Sequence, residues 1–267
     1  MEKGISLEKL VTAYLDCRRR KRNTETALEF EFALEENLVK LYDDLISGNY
    51  EISESICFIV LYPKPREVWA ACFRDRVVHH LIYNEISKRF YNRFIKDTYS
   101  CIPERGTTNA VKTLKRYVRA VTNDYTETAY YLKADLKNFF VSIDKNILYA
   151  EIKKLVPEDW LLKLIKQVIF HDCKTKVEIK SSKWKFDLLP TYKSLWYTPD
   201  EKGLPIGNLT SQFFSNVYLN VLDQYVKHHW KCKYYCRYVD DFIILDKDPQ
   251  KLNEIHNCLL YTSDAAD

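Results

Sequence analysis

Apolar residues recur at three- and four-residue steps near the start of the chain, at Leu7, Leu10, Val11, Tyr14 and Leu15. That spacing predicts an amphipathic helix, ending in the basic run Arg18–Arg22. Asn23 or Thr24 is placed to cap a second helix reaching about Ile46, and Ser47-Gly48-Asn49 breaks it. The stretch Glu51–Tyr62 predicts a strand, with Pro63 and Pro65 marking a turn. Helical patterns follow over Phe73–Phe94 and from Gly106-Thr107-Thr108 to about Val121. Tyr130–Asp135 predicts a strand, Asp144 caps a helix to about Leu155, and Glu158–Phe170 reads as another helix. Residues 171–203 read as irregular and hairpin-like, and Asn208 to about Lys227 as helix. Tyr234–Tyr238 and Phe242–Leu245 read as two short strands around a tight turn. Helices mixed with antiparallel hairpins predict an α+β fold.

Composition narrows this picture. The chain has 267 residues, 46% hydrophobic and 29% charged, which suits one large globular domain or two lobes. The longest apolar run, Ile56–Tyr62, is too short to span a bilayer, and the first ten residues lack the apolar run of a secretory signal. The expectation is a cytoplasmic protein with no membrane partner, its eight cysteines mostly reduced. Forty-one Lys and Arg against 37 Asp and Glu give +4, a balance that names no partner. Only five glycines occur, with no GxGxxG or GxxxxGK[ST] pattern, so a glycine-rich phosphate cradle is not expected. GxSxG and HExxH are absent, leaving hydrolase chemistry without support. His228-His229 with Cys232 and Cys236 has atypical spacing for zinc, and these residues read as core or surface.

Candidate chemistry centres on carboxylates. The turn between the last two strands is Val239-Asp240-Asp241. Type I′ hairpin turns favour Gly or Asn where φ is positive, and two adjacent carboxylates repel, so an isolated Asp-Asp reads as a solvated turn. Asp135, however, ends the strand Tyr130–Asp135. Paired beside the hairpin, that strand would bring three carboxylates to one sheet edge. Hard oxygen donors of this kind suit Mg²⁺, and two such ions about 4 Å apart can activate a hydroxyl and stabilise a leaving pyrophosphate. Spacing alone leaves the convergence open.

These residues carry a resemblance. Arg237-Tyr238-Val239-Asp240-Asp241-Phe242 resembles the YxDD motif of reverse transcriptases, and Tyr131–Phe140 their first palm motif. Gly203–Gln212 is similar to the palm helix motif, while Arg74–His80 and Pro103–Thr107 resemble the finger motifs. All occur in family order over about residues 50–246. Most bacterial members, group II intron and retron types included, have Gln-Gly and Ser-Pro in the palm helix motif, where this chain has Ile206-Gly207 and Ser211-Gln212. With Lys193-Ser194-Leu195 and Pro63-Lys64-Pro65-Arg66-Glu67, it most resembles the reverse transcriptases of diversity-generating retroelements. In that family the enzyme copies a template-repeat RNA with errors concentrated at adenines.

The resemblance implies a right-hand polymerase with fingers and an antiparallel palm sheet packed on helices. Residues 1–50 would form a helical extension, 51–125 the fingers, and 126–260 the palm with a basic insertion at 171–203. Only about 25 residues follow Asp241, so no thumb is expected, and residues 261–267 read as a non-native tail of a C-terminally truncated chain. Asp135, Asp240 and Asp241 would be catalytic and hold two Mg²⁺ ions. Lys64 and Arg66 would grip the incoming triphosphate, as a flexible ammonium and a forked guanidinium suit phosphate oxygens. Phe140 would pack under the sugar and exclude a 2′-hydroxyl, the alternative being a core aromatic. Ile206 and Gly207 would border the nascent base pair, Gly207 allowing close backbone approach. Arg74, Arg76, Arg105 and Gln212 would meet nucleic acid.

Residues 173–193 carry six lysines against Glu178 and Asp187, interleaved with Trp184, Phe186 and Tyr192. Lys183 and Lys185 are the expected nucleic-acid contacts there, against a reading as solvated surface. The run Arg18–Arg22 is a further candidate for template RNA or an acidic partner. Expected partners are template RNA, a DNA or RNA primer, deoxynucleoside triphosphates and a small basic accessory protein. The competing readings are a group II intron-like enzyme and a non-catalytic nucleic-acid-binding module.

Overall fold

A computed structural model of the chain describes residues 4–19 and 24–264, with side chains as far as residue 260 at the C-terminal end. In chain order the elements are α1 (Leu7–Arg18), α2 (Glu25–Phe32), α3 (Leu34–Ser47), β1 (Ser55–Val60), β2 (Arg66–Ala71), α4 (Phe73–Tyr91) and α5 (Thr107–Val121). There follow β3 (Tyr130–Asp135), α6 (Phe139–Ser142), α7 (Lys145–Lys153), α8 (Asp159–Phe170), β4 (Val177–Ile179), α9 (Lys183–Phe186), α10 (Leu209–Gln224), β5 (Tyr234–Tyr238), β6 (Asp241–Asp246) and α11 (Pro249–Asp264). The α+β class expected from the pattern is what the chain forms. Two compact units interleave along it: residues 1–90 with 140–218, and residues 91–139 with 219–267. Each sheet draws strands from distant segments.

Local signals explain several helix ends. The Ser6 hydroxyl accepts from the Lys9 amide at the start of α1, and the Asp144 carboxylate accepts from the Asn146 and Ile147 amides at the start of α7. Gly48 closes α3 in the left-handed conformation at φ 77°. The single helix expected from residue 24 to 46 is instead two, broken at Ala33 (φ −128°, ψ 54°), with Asn37 donating across the break to the Phe30 carbonyl at 2.9 Å. Beyond α10 the chain winds into a wide π-type turn over Tyr225–His229.

In the first unit, β1 pairs antiparallel with β2, from Ser55 opposite Ala71 to Val60 opposite Arg66. β4 adds to the other edge of β1 in parallel, so the segment expected to be hairpin-like supplies a third strand. Periodicity could not show this, since β4 is three residues long and its partner lies over a hundred residues upstream. Trp69, Cys57, Cys173 and Leu195 form the buried cluster beside this sheet. Helix α4 contributes Val77, Val78, Leu81, Ile82 and Ile86, all fully buried or nearly so.

In the second unit, β6 lies between β3 and β5, antiparallel to both. Phe242 and Ile244 project from one face into a core with Tyr235, Val226, Leu252 and Ile255, with Leu132 and Ala134 of β3 packed against it. Cys236, on the opposite face of β5, packs with Tyr99 and Ala110 of α5. Among the described residues no helix is long and apolar enough to cross a membrane. The eight cysteines are free thiols, and burial pushes Cys57 and Cys173 up to about 12.

Candidate active site

The three aspartates belong to the second unit. The β3–β6 ladder ends with Asp135 opposite Asp241, and the β5–β6 ladder with Tyr238 opposite Asp241. Strand alternation puts these three side chains on the face away from Phe242 and Ile244, and both Asp135 and Asp241 are exposed. Asp240 precedes Asp241 in the two-residue loop Val239-Asp240. The register therefore gathers three carboxylates at one end of the sheet. They do not form a closed ligand shell: among the described residues, no three His, Cys, Asp or Glu side chains are grouped so as to hold a metal ion. Mutual repulsion opposes closer approach of like charges.

Hairpin turns of this length favour Gly or Asn where φ is positive. The positive φ falls instead on Val239, at 58°, a conformation that costs a β-branched residue about 1–3 kcal/mol and persists only where neighbours enforce it. Arg237 supplies that enforcement. Its Nη1 donates to the Val239 carbonyl at 2.7 Å, while Nε and Nη2 donate to the two Asp223 oxygens at 2.7 and 2.6 Å. Both side chains are wholly buried. Tyr235 and Thr98 each donate a further hydroxyl to Asp223 at 2.7 Å. Burial works against the Arg237 charge, but the Asp223 carboxylate outweighs it and raises the guanidinium pKa. The backbone of Arg237 is also paired, accepting from Tyr99 and donating to Asp97.

Asp223 was not foreseen. A signal for it exists, because Arg237 shares the inward face of β5 with Tyr235, and an inward charge on a short strand implies a buried counter-ion. Cys232 and Cys236 enter different apolar clusters, and His229 stacks on Tyr225 at 4.3 Å.

In the first unit, Lys64 and Arg66 are exposed at the β1–β2 turn. Phe140 is half-buried, its carbonyl accepting from the Leu204 amide at 2.8 Å, whereas Phe139 is the buried ring of that pair. The Ile206 carbonyl accepts from the Trp69 amide at 2.7 Å. Asn208 brackets the same residue, accepting from the Ala71 amide and donating to the Trp69 carbonyl. Gly207 has φ 124°, and a Cβ there would lie 2.8 Å from Val68 Cγ1 and 3.2 Å from the Trp69 carbonyl oxygen. The close approach that requires glycine is thus to β2 of the protein itself.

The remaining basic candidates divide. Arg74 binds Asp44 at 2.7 Å and the Glu51 carbonyl at 3.0 Å, and lies over the Tyr50 ring. Arg105 donates to the carbonyls of Ile95 and Thr98. Both guanidinium groups, expected to meet nucleic acid, make these bonds within the chain. Arg76 is largely buried, which lowers its pKa, with Nε and Nη1 unpartnered. Lys183 and Gln212 are exposed, and Lys185 lies over the Trp184 ring at 5.8 Å. Of the basic segment 173–193, Lys174 pairs with Asp200 and Lys180 with Glu25. Arg18 pairs with Glu31, while residues 20–22 of the N-terminal basic run lie outside the described residues.

Known proteins resemble this chain in sequence or fold. Protein YkfC of Escherichia coli (strain K12) is 21% identical, the match taking in 84% of this chain and 61% of that protein, so the chain spans less than two thirds of this relative. A partial Cas6-RT-Cas1--Cas2 complex is similar over 90% of this chain and 37% of that chain, with a TM-score of 0.50 and 17% identity. An apo telomerase from Candida tropicalis is similar over 82% of this chain and 50% of that chain, with a TM-score of 0.51 and 11% identity. At these identities the structural likeness concerns the fold, which suits the fingers and palm of a polymerase. The family model described as reverse transcriptase (RNA-dependent DNA polymerase) matches residues 63–265. That span holds the β1–β2 turn, Asp135, the segment pinned to Trp69, and the Asp240-Asp241 turn, and by it the chain belongs to the reverse transcriptase (RNA-dependent DNA polymerase) family.

Proposed function

We propose that the chain polymerises DNA on an RNA template, as the error-prone reverse transcriptase of a diversity-generating retroelement. The observation that carries the polymerase reading is the pairing of Asp135 with Asp241, one residue from Asp240. Members of this family generally use divalent metal ions. The donor set fits, since three carboxylates at one sheet end offer hard oxygens of the kind Mg²⁺ prefers. Bound there, two such ions would supply the Lewis acidity that activates an attacking primer hydroxyl and offsets charge on departing pyrophosphate. The protein's part is to hold the carboxylates: the ladder fixes Asp135 and Asp241, and Arg237 fixes the turn carrying Asp240. Lys64 and Arg66, exposed on their turn, would take triphosphate oxygens. Phe140 would exclude a 2′-hydroxyl from the sugar position.

The retroelement assignment rests on Ile206-Gly207, Ser211-Gln212 and the two segments Pro63–Glu67 and Lys193–Leu195. Its substrates would be a template-repeat RNA, a DNA or RNA primer and deoxynucleoside triphosphates, with a small basic protein as accessory.

The test is Asp240→Asn in the full-length protein, assayed by Mg²⁺-dependent extension of a primed RNA. Extension is expected to fall by about 10³-fold or more, with the melting curve unchanged. Near-normal extension would overturn the metal-ligand assignment.

A further inference from the structure

We propose that α5 carries a docking surface for the sugar–phosphate backbone of RNA, an inference that rests on the reading of this chain as an RNA-copying enzyme. Lys112, Lys115, Arg116 and Arg119 stand at i, i+3, i+4 and i+7, so all four project from one helical face, and all four are exposed. The fifteen residues of α5 include no Asp or Glu. The opposite face is anchored within the unit: Ala110 packs with Tyr99 and Cys236, Tyr117 meets the Tyr234 ring, and its hydroxyl donates to Asp97 at 2.5 Å. The basic stripe is therefore presented outward by a fixed helix.

The charge there is largely unbalanced. Among the described residues neither Lys112 nor Lys115 has a carboxylate within ion-pair distance, Arg116 lies over the Tyr117 ring, and Arg119 pairs with a carboxylate, Asp124, at 2.6 Å. The stripe lines an open cleft of about 480 Å³ together with Ala120, Asn123 and Asp124. There the chain runs through three consecutive left-handed residues, Asn123, Asp124 and Tyr125, at φ 47°, 55° and 70°. Tyr125, the residue after the last of the cleft lining, is 62% exposed.

Two features favour a nucleic-acid strand over an acidic protein. Lys112 and Arg116, like Lys115 and Arg119, are separated by about 6 Å along the helix axis at 1.5 Å per residue, a step comparable with that between successive phosphates of one strand. A protein partner would need an apolar or aromatic anchor at the centre of the contact, whereas the only apolar side chain in the cleft lining is Ala120. Tyr125 adds a ring on which a base could stack.

The test is binding of a fluorescein-labelled single-stranded RNA 30-mer by the full-length protein, titrated at several salt concentrations without nucleotide or divalent metal. Lys112→Glu with Lys115→Glu is expected to weaken binding about tenfold at low salt, and to lower the slope of log affinity against log salt by about 1.4, at about 0.7 per phosphate contact. Lys112→Arg with Lys115→Arg is expected to keep affinity and slope, which separates charge from misfolding. Unchanged affinity and slope in the Glu variant would overturn the surface while leaving the polymerase reading intact. If the unaltered protein extends no primed RNA with Mg²⁺ and deoxynucleoside triphosphates but the Glu variant still loses RNA, the polymerase reading fails and the surface stands. Displacement of RNA by polyglutamate as effectively as by unlabelled RNA would overturn the assignment to nucleic acid.

Discussion

Ser194 donates a 2.5 Å hydrogen bond to the buried carboxylate of Glu67, 127 residues earlier in the chain. Ser194 takes Oε2, while the Leu195 amide, at 3.0 Å, and the Trp69 indole both donate to Oε1. Trp69 in turn takes the Ile206 carbonyl and is bracketed by Asn208. Three segments singled out by sequence, Pro63–Glu67, Lys193–Leu195 and Gly203–Gln212, are thus joined through Glu67 and Trp69. Glu67→Ala leaves three donors without their acceptor. It is expected to destabilise by about 2–4 kcal/mol, against about 1 kcal/mol for Ser194→Ala, measured by urea unfolding. Equal costs for the two variants would mean that Glu67 does not centre the network.

Arg237 and Asp223 can be separated into structural and positioning roles. Arg237→Met strands a buried carboxylate and is expected to cost about 3–5 kcal/mol. Arg237→Met with Asp223→Leu removes both charges and is expected to recover much of that stability. Polymerisation is not expected to recover with it, because the Val239 carbonyl still lacks its donor and the turn carrying Asp240 is no longer enforced. The readout is kcat falling with little change in KM for the nucleotide, in a protein whose melting point is restored. Restored kcat in the double variant would return the pair to a purely structural role.

Ile206 is held by its backbone to Trp69, so its side chain can be exchanged without breaking that bond. On the proposed reading, in which Ile206 borders the nascent pair, Ile206→Gln introduces an amide able to hydrogen-bond beside it, worth about 1 kcal/mol or several-fold in discrimination. Misincorporation is expected to fall, most visibly opposite template adenine, as read by sequencing cDNA from a defined RNA. An unchanged error spectrum would assign Ile206 to packing alone.

His79 gives the first unit a pH dependence. Burial lowers its pKa from 6.5 to about 4; Asp75 opposes this, while His80, Arg76 and His171 reinforce it. The unfolded chain takes up this proton near pH 6.5 and the folded chain only near 4, so the stabilisation is complete above 6.5 and is lost as pH falls towards 4. At 1.36 kcal/mol per unit the loss reaches about 3 kcal/mol. His79→Leu is expected to flatten that part of the stability profile, measured by urea midpoints from pH 7.5 to 4. An identical profile in the variant would place the acid sensitivity elsewhere, the burial-lowered His171 being the next group to test.

The amino-acid pattern by itself determined the elements whose signals are local. β3 and β5 begin and end where the pattern puts them, α5 starts after Gly106, and Asp144 caps α7, because alternation, capping and helix-opening residues act within a few positions of themselves. The aspartates, too, were legible as candidates from residue type and motif order. What tertiary structure decided was partnership. Opposition of Asp135 and Asp241 depends on strand register across a hundred residues, and the seat of turn strain at Val239 on how Arg237 and Asp223 meet in the core. Arg74 and Arg105 read along the chain as nucleic-acid contacts; their carboxylate and carbonyl partners, remote in sequence or in neighbouring loops, are visible only in the fold. The break at Ala33 and the parallel docking of β4 on β1 are likewise set by packing. Periodicity reports the face an element will bury; which side chain waits on the other side is a property of the folded chain alone.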